Sequence, residues 1–290
     1  MDKKKDLVVS FSGGETSAYM LKYCIETMKD FYNDMHIVFS NTGQENEETL
    51  VFVDKVSKLL GVDIVWLEAV VHEQKGLGTK HKITSFEEAD REGKVFEDVI
   101  KKYGIPNQAY PHCTRELKLQ PIKSYLRSLG LKKGDYDMAV GIRVDEIDRV
   151  SPTASKSDLI YPLVQNQPTT KVDVNTFWKN QPFRLNLKGY QGNCKWCWKK
   201  SFRKHYQLIK ESPQIYSFPE RMEELYSTNG ANKDGKYKRV FFRSNKSTKD
   251  LINEALLADF DPPEDDSIVF NEYLDVGAGC EESCEVNFED

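Results

Sequence analysis

A short apolar strand that runs into two adjacent glycines constrains this chain more than any other feature. Residues 7–20 read LVVSFSGGETSAYM, in which the apolar run ends at Ser12 and a helix-like segment begins just after Gly14. Two glycines let the backbone turn tightly and approach a ligand, because neither carries a Cβ atom. The amides of such a turn and of the first helical residues converge on one point, which suits an anion. The stretch therefore predicts a buried strand, a phosphate-binding turn and a helix.

Hydroxyl groups surround this turn and extend the predicted anion site. Together with the two glycines, they give the candidate nucleotide-binding residues Ser10, Ser12, Gly13, Gly14, Thr16 and Ser17. The simpler interpretation is a glycine turn that only joins a strand to a helix. The coincidence of strand, hydroxyls and helix start favours phosphate binding. No Gly-Lys-Ser/Thr sequence follows, so the turn is not a Walker loop.

Strands and helices alternate through the first half of the chain. Their apolar spacing predicts strands at 7–11, 36–40, 63–67 and 136–142, and helices at 16–30, 45–60, 86–103 and 116–129. This alternation predicts an α/β fold with a doubly wound, mostly parallel sheet, followed by a helical, cysteine-containing C-terminal elaboration. Ligands of such folds bind beyond the carboxyl ends of the strands, where the glycine turn lies. The remaining assignments are a basic loop at 72–82, mostly turns at 149–193, and helices at 201–211 and 219–227.

Composition limits the broad class of protein. The 290 residues have room for one large α/β domain with an elaboration, or for two small domains. Hydrophobic residues make up 39% and charged residues 30%, which is ordinary for a soluble globular protein. No apolar run approaches membrane-spanning length, and nothing before the first strand resembles a secretory signal. We therefore expect a cytoplasmic protein without a membrane partner, and the number of subunits stays open.

The six cysteines do not look like a disulfide scaffold in a chain of this size. Cys194 and Cys197 form a C-x-x-C, a spacing that lets both thiolates reach one metal ion. A structural zinc site, a redox dithiol and part of an iron–sulfur cluster are all compatible with it. Cys113 stands just before a predicted helix, where the helix start and nearby basic residues would lower its thiol pKa. Cys24, on the apolar side of the first helix, is expected to pack in the core.

The sequence of residues 12–17 resembles the pyrophosphate loop of the adenine nucleotide α-hydrolases. This group includes ATP pyrophosphatases and phosphoadenosine-phosphosulfate (PAPS) reductases. Residues 40–50 and 141–149 resemble the Thr-Gly and Gly-x-Arg-x-x-Glu-x-x-Arg elements of PAPS-reductase-like proteins, as found in bacteriophages and mobile elements. The motif order matches over about residues 5–205. The resemblance implies an adenine nucleotide, ATP or PAPS, with Mg²⁺, and adds Thr42 and Gly43 to the nucleotide-binding residues.

The same resemblance implies roles for three cysteines. Residues 112–121 are similar to the Cys-Cys-x-x-x-x-Lys-x-x-Pro segment of adenylylsulfate reductases, which complete a [4Fe–4S] site with a distal C-x-x-C. It implies such a cluster, or alternatively Zn²⁺, with the candidate ligands Cys113, Cys194, Cys197 and His112. His112 replaces the first cysteine of the family's pair, which leaves either a histidine ligand or an open iron.

Three functions follow from these features. The first is an ATP-using enzyme that adenylates a substrate and transfers sulfur through the iron–sulfur site, with Cys113, Lys118 and Arg143 as catalytic residues. The retained glycines favour it, although Thr16 stands where ATP pyrophosphatases usually carry aspartate. The alternative is a PAPS or adenylylsulfate reductase in which Cys280 or Cys284 attacks sulfur. The third is a catalytically silent nucleotide-binding module with structural zinc.

Charge is unevenly distributed and suggests further partners. The net charge is −5, but residues 259–290 hold twelve acidic residues and no Lys or Arg, so the preceding chain is about +7. Basic and aromatic residues interleave at 195–206 and 233–243, which suits a nucleic acid substrate or, equally, aromatics packed beneath a solvated basic face. A sulfur-donor or electron-donor protein is the other expected partner.

The sequence thus divides into three parts. Residues 1–150 form an adenine nucleotide α-hydrolase-like domain, residues 151–258 form the C-x-x-C and basic–aromatic elaboration, and residues 259–290 form an acidic tail. The tail is either a solvated, disordered end or a segment that lies over the basic body and is displaced by a polyanionic substrate.

Overall fold

The computed structural model describes residues 4–72, 74, 76–192, 194–230 and 237–270. Within these residues, six strands form one sheet in the order β4-β3-β2-β1-β5-β6. The strands are β1 (Asp6–Ser10), β2 (Met35–Asn41), β3 (Val65–Val70), β4 (Lys80–Thr84), β5 (Tyr136–Val140) and β6 (Leu159–Ile160). Every neighbouring pair is parallel except β3 and β4. The predicted α/β fold with a mostly parallel sheet is therefore confirmed.

The helices follow the apolar periodicity of the sequence in most places. They are α1 (Glu15–Tyr23), α2 (Glu47–Leu60), α3 (Lys94–Tyr103), α4 (His112–Thr114), α5 (Gln120–Ser128), α6 (Pro162–Gln165), α7 (Lys171–Lys179), α8 (Phe202–Glu211), α9 (Ser217–Tyr226) and α10 (Thr248–Leu257). A π-helical turn continues α1 over Cys24–Met28, and another over Arg115–Leu119 joins α4 to α5. No helix in the described ranges combines the length and apolar character needed to cross a bilayer.

Four sequence assignments differ from the structure. The predicted helix at 86–103 begins only at Lys94, because Gly93 takes a left-handed conformation (φ 83°) that starts α3 there. The predicted loop at 72–82 runs into β4, a lysine-rich strand at the sheet edge, where charge discourages further pairing. The segment 149–193 contains α7, and α10 was not predicted. Both helices begin with a capping box, a signal that the sequence carried.

Two hydrophobic cores join the segments before and after residue 150. In the first, Trp178 of α7 packs edge-to-face on Phe52 of α2, with ring centroids 4.9 Å apart. In the second, Trp196 lies 5.3 Å from Phe96 of α3 and 4.8 Å from Phe241. The C-terminal elaboration is thus built onto the sheet domain through buried aromatic side chains, and this packing places its loops beside the carboxyl ends of the strands.

A buried histidine in the second core predicts acid sensitivity. His205 is 1% exposed, and its Nδ1 lies 2.7 Å from the Tyr216 hydroxyl. Burial, with a contribution from Lys200 and Arg243, holds its pKa well below the ordinary value of 6.5. The unfolded chain therefore binds a proton below about pH 6.5 that the folded chain does not bind. The free energy of unfolding should fall there by up to about 1.4 kcal/mol per pH unit.

The His205→Phe variant should lose this part of the pH dependence. Urea unfolding of the wild type and of His205→Phe at pH 7.5 and 5.5 would measure it. The contributions of the other titrating groups cancel when the pH-dependent change in the free energy of unfolding is compared between the two proteins. An equal fall in both proteins would show that His205 is not the source.

Candidate nucleotide site

The sheet order places a crevice at the carboxyl end of β1. This strand pairs with β2 on one side and β5 on the other, so the connections after β1 and β5 leave the sheet in different directions. A cavity of about 210 Å³ opens at this point. Its walls include the whole glycine turn and basic residues from several elements, namely Ser12, Gly13, Gly14, Glu15, Thr16, Ser17, Lys118, Arg143, Arg149, Lys171 and Lys188. The predicted anion site therefore coincides with a cavity.

The glycine turn is held in shape by its own hydroxyls. Gly13 has a φ of 82°, and Gly14 is the extended residue that precedes α1. The Ser17 hydroxyl accepts from the Ser12 amide (3.2 Å) and hydroxyl (3.0 Å), and donates to the Gly14 carbonyl (2.9 Å). The Ala18 amide donates to the Gly14 carbonyl and makes the first backbone hydrogen bond of α1. The amides of the residues before Ala18 belong to the first turn of the helix, where no carbonyl of the same helix can accept from them. The turn thus has the ordered hydroxyls and the open helix N-terminus that the sequence predicts for an anion site.

Arginine side chains after β5 face the turn across the cavity. Arg143 donates to the Thr16 hydroxyl (3.0 Å), pairs with Asp145 (2.8 Å) and lies 3.2 Å from Glu146. Arg149 also pairs with Glu146. Burial alone would lower the pKa of Arg143, but its hydrogen bonds to the Asp145 carboxylate and the nearby carboxylates raise it. The carboxylates of Asp145 and Glu146 thus keep the Arg143 guanidinium charged and positioned beside the glycine turn.

Glu15 has a structural role that sequence reasoning missed. Its buried carboxylate accepts from Arg184 through Nε (3.0 Å) and Nη2 (2.9 Å), and from the Leu185 amide (3.1 Å). Its carbonyl accepts from the Trp178 indole at 2.9 Å. The first residue of α1 therefore ties the segment after α7 to the glycine turn. An acidic residue in a first helical turn was the available signal, but nothing local pointed to Arg184.

The Glu15→Gln variant should unfold more easily than the wild type. It removes the charge that satisfies a mostly buried guanidinium, and we expect a loss of about 1–3 kcal/mol in the free energy of unfolding. Glu26→Gln is the matched control, because the Lys22–Glu26 pair is solvent-exposed and should contribute little. Urea unfolding measures both, and equal effects would contradict the anchoring role.

The C-x-x-C segment lies against the connection after β2. Cys194 forms an isolated bridge with Glu45, and its Sγ lies 3.6 Å from the Thr42 hydroxyl. The Lys195 amide donates to the Gln44 carbonyl (2.9 Å), and the Trp196 indole donates to the Gln44 side chain (2.6 Å). Because Glu45 also lines the cavity, the cysteine segment and the anion site share one loop.

Two of the predicted metal ligands lie against the second core, and a third is buried. Cys113 and Cys194 pack against that core, Cys197 is buried, and His112 Nε2 lies 3.1 Å from the Gly104 carbonyl. Burial lowers the pKa of His112 to about 4. In the ranges that the structure describes, no three His, Cys, Asp or Glu side chains are grouped as around a metal ion. The metal site, as a cluster or as zinc, stays a prediction.

The other predicted site residues separate into two groups. Lys118 and Arg143 line the cavity, as the catalytic hypothesis requires. Ser10, Thr42 and Gly43 are absent from the cavity wall; Thr42 is fully buried and donates to Glu45 at 2.8 Å. Their role in nucleotide binding stays a prediction. Two predicted catalytic cysteines, Cys280 and Cys284, lie outside the described residues.

The basic–aromatic segments contain both buried and exposed aromatic rings, and Tyr237 is 77% exposed. Their aromatic rings are mostly buried, with exposed fractions of 5% or less for Trp196, Trp198, Phe241 and Phe242. Lys200 is also buried and donates to the carbonyls of Tyr190 and Gly192. Residues 233 and 236 lie outside the described ranges. This packing matches the interpretation of aromatics beneath a basic face, and nucleic acid as a substrate stays a prediction.

The sequence was compared with models of known protein families to test the family resemblance. The model of the phosphoadenosine phosphosulfate reductase domain matches residues 6–153, half of the chain. The chain belongs to the phosphoadenosine phosphosulfate reductase domain family. The matched range contains the glycine turn, Lys118 and Arg143, and it ends before α7. The family prediction is confirmed, and it makes the protein a member of a nucleotide-binding, enzyme-like family.

Relatives of this PAPS reductase domain protein occur in a phage and in an archaeon. An uncharacterised nin region protein of Escherichia phage lambda is 31% identical over 287 residues, which cover 96% of this chain and 94% of the phage protein. Two uncharacterised proteins of Methanocaldococcus jannaschii are 32% and 28% identical over 42% and 44% of this chain. The match covers only 20% and 25% of those archaeal proteins. The match to the phage protein thus extends beyond the family domain into the C-terminal segment.

Proposed function

We propose that this family member binds ATP and adenylates a substrate, with pyrophosphate as the leaving group, in preparation for sulfur transfer. The observation that carries the proposal is the intact glycine turn facing Lys118 and Arg143 across one cavity. Turn amides, hydroxyls and fixed positive charges together suit a polyphosphate better than a single sulfate ester. PAPS carries no pyrophosphate, so a complete pyrophosphate loop favours ATP.

The proposed first step is a displacement at the α-phosphorus of ATP. An oxygen of the acceptor forms a bond to this phosphorus, and the bond to the bridging oxygen of the β-phosphate breaks. Negative charge develops on the departing pyrophosphate, where Lys118 and Arg143 neutralise it while the turn amides of α1 hold its oxygens. In the second step a hydrosulfide forms a carbon–sulfur bond at the activated carbon, and AMP leaves with the carbon–oxygen bond pair.

Metal ions enter the adenylation step only through the nucleotide. The cavity carboxylates are already engaged by protein donors: Glu15 by Arg184, Glu45 by Thr42, and Glu146 by Arg149. They do not form a ready magnesium site, so Mg²⁺ would arrive bound to the phosphates of ATP, as it does in sites that supply few carboxylates. An iron–sulfur cluster held by Cys113, Cys194 and Cys197 would serve the later sulfur transfer, and the adenylation step does not depend on it.

Calorimetry with a set of nucleotides tests the proposal. ATP and inorganic pyrophosphate should bind the full chain more tightly than AMP, and ATP should bind more tightly than PAPS. The Gly14→Ala variant should weaken pyrophosphate binding without unfolding the protein, because a Cβ there meets only the Ser12 hydroxyl, at 3.9 Å. Tight PAPS binding with no pyrophosphate binding would reject the proposal in favour of the reductase.

A turnover assay with ATP distinguishes an adenylating enzyme from a catalytically silent nucleotide-binding module. Release of labelled pyrophosphate from ATP in the presence of a nucleic acid or small acceptor would establish adenylation. Binding of ATP without release, in a colourless zinc-loaded protein, would identify a silent module. A visible spectrum after anaerobic purification, with Cys194→Ala as the control, tests the cluster: broad absorption near 400 nm that the variant lacks would establish cysteine-bound iron–sulfur.

A further inference from the structure

The described part of the acidic tail folds back onto the rim of the nucleotide cavity. We call residues 265–270 the strap; its Ser267 lines the cavity. Side chains from two earlier segments hold its backbone. Asn175 of α7 donates to the carbonyls of Asp266 (2.9 Å) and Val269 (2.7 Å), and Arg184 donates to the Ser267 carbonyl (2.8 Å). The strap is therefore fixed at the site by specific hydrogen bonds.

The carboxylate of Asp266 is directed toward the basic wall of the cavity. Its Oδ1 lies 3.5 Å from Nζ of Lys171, which lines the cavity. The same oxygen is buried and has no hydrogen-bond partner among the described residues. It also sits where a side chain on Gly189 would be, because a Cβ built there falls 1.8 Å away. An anionic oxygen thus occupies a position beside cations that face the polyphosphate site.

Arg184 links the strap to the glycine turn. Its guanidinium bonds to both carboxylate oxygens of Glu15 and, through Nη2, to the Ser267 carbonyl. The charge of Asp266 is also among those that stabilise the Arg143 guanidinium. A change at the strap therefore affects the glycine turn through Arg184, which contacts both. It also affects Arg143 on the opposite side of the cavity through the charge of Asp266.

We propose that the strap is an internal competitor of the nucleotide. Resting on the function proposed above, the inference is that the Asp266 carboxylate takes the place of an anionic oxygen of the polyphosphate, and that polyphosphate binding displaces it. Both groups need the same cations, and two anions cannot share Lys171 and the buried space over Gly189. The strap thereby lowers the affinity for polyphosphate until a tightly bound nucleotide displaces it.

Pyrophosphate binding to the full chain tests the competition. Asp266→Asn should bind inorganic pyrophosphate up to about fivefold more tightly than the wild type, the range expected from loss of one partly exposed ion pair. Glu264→Gln is the matched control, since it removes the same charge from an exposed neighbouring position and should change affinity little. Equal or weaker binding by Asp266→Asn rejects the strap inference alone. Absence of pyrophosphate binding in both proteins rejects the proposed function and the inference with it.

Two further measurements distinguish displacement of the strap by pyrophosphate from closure of the strap over bound pyrophosphate. Pyrophosphate should raise hydrogen exchange at residues 265–270 in the wild type if it displaces the strap, and increased protection would overturn the proposal. Gly189→Ala should weaken pyrophosphate binding, because its Cβ fills the space that the Asp266 carboxylate occupies and that a polyphosphate oxygen would take. Unchanged or tighter binding by this variant would contradict a shared position for the two anions.

Discussion

Replacing Gly13 with alanine is expected to lower the free energy of unfolding by about 2–4 kcal/mol and to abolish pyrophosphate binding. Gly13 has a φ of 82°, which costs any residue with a Cβ about 1–2 kcal/mol. The added Cβ would lie 2.7 Å from Cγ2 of Thr49 and 3.1 Å from the Phe39 ring. Both neighbours belong to elements of the first core, so relief of the clash would move α2 or β2 and distort the turn.

Gly61→Ala is the control for the backbone contribution. Gly61 has a φ of 62° at the end of α2, but a Cβ there meets no atom within 4 Å. This variant should lose only about 1 kcal/mol and bind pyrophosphate normally. Urea unfolding and calorimetry measure both quantities. Similar stabilities for the two variants would show that the contact with Thr49 is not decisive and that the turn tolerates a larger residue.

Replacing Arg143 with methionine should reduce the rate of pyrophosphate release from ATP by about 10²–10³-fold. The side chain of Arg143 is 11% exposed and faces the turn through the Thr16 hydroxyl. Methionine keeps much of the side-chain volume but removes the charge that would stabilise the leaving pyrophosphate. Arg143→Lys should recover only part of the rate, because lysine cannot reproduce the paired contacts to Asp145 and Thr16.

The control for Arg143→Met is the same change at Arg127, which is exposed and lines a different cavity. The rate should fall in the first variant and stay near the wild-type value in the second. Urea unfolding distinguishes a catalytic loss from a folding defect, since Arg149 still pairs with Glu146 when Arg143 is absent. A rate loss below tenfold in a stable Arg143→Met protein would remove Arg143 from the proposed displacement.

The central strands and the glycine turn could be predicted because their signals are local. An apolar run followed by two glycines sets both the end of β1 and the turn, and Gly13 shows the positive φ that such a turn needs. The cavity also contains Lys118 and Arg143, which the motif resemblance had selected. The mostly parallel arrangement of the strands was accessible for the same reason, since consecutive strand–helix units build a parallel sheet.

The parts that escaped prediction depend on contacts between distant residues. Glu15 and Arg184 are separated by 169 positions, and no periodicity links them. The aromatic rings near the C-x-x-C looked suited to stacking on bases, but Trp196 is enclosed by Phe96, Phe218 and Phe241. Sequence spacing reports which faces are apolar and does not report which partner covers them. For the same reason, the sequence shows the spacing of the cysteines along the chain but does not show which of them lie close together in the fold.

The cavity wall has a consequence for the order in which the site is assembled during synthesis. Its lining runs from Ser12 to Ser267, and the family-matched range supplies only the earlier part. A ribosome that has added only the family-matched residues therefore holds a chain whose cavity still lacks Lys171, Lys188 and Ser267. The wall is complete only when nearly all of the described chain has been made.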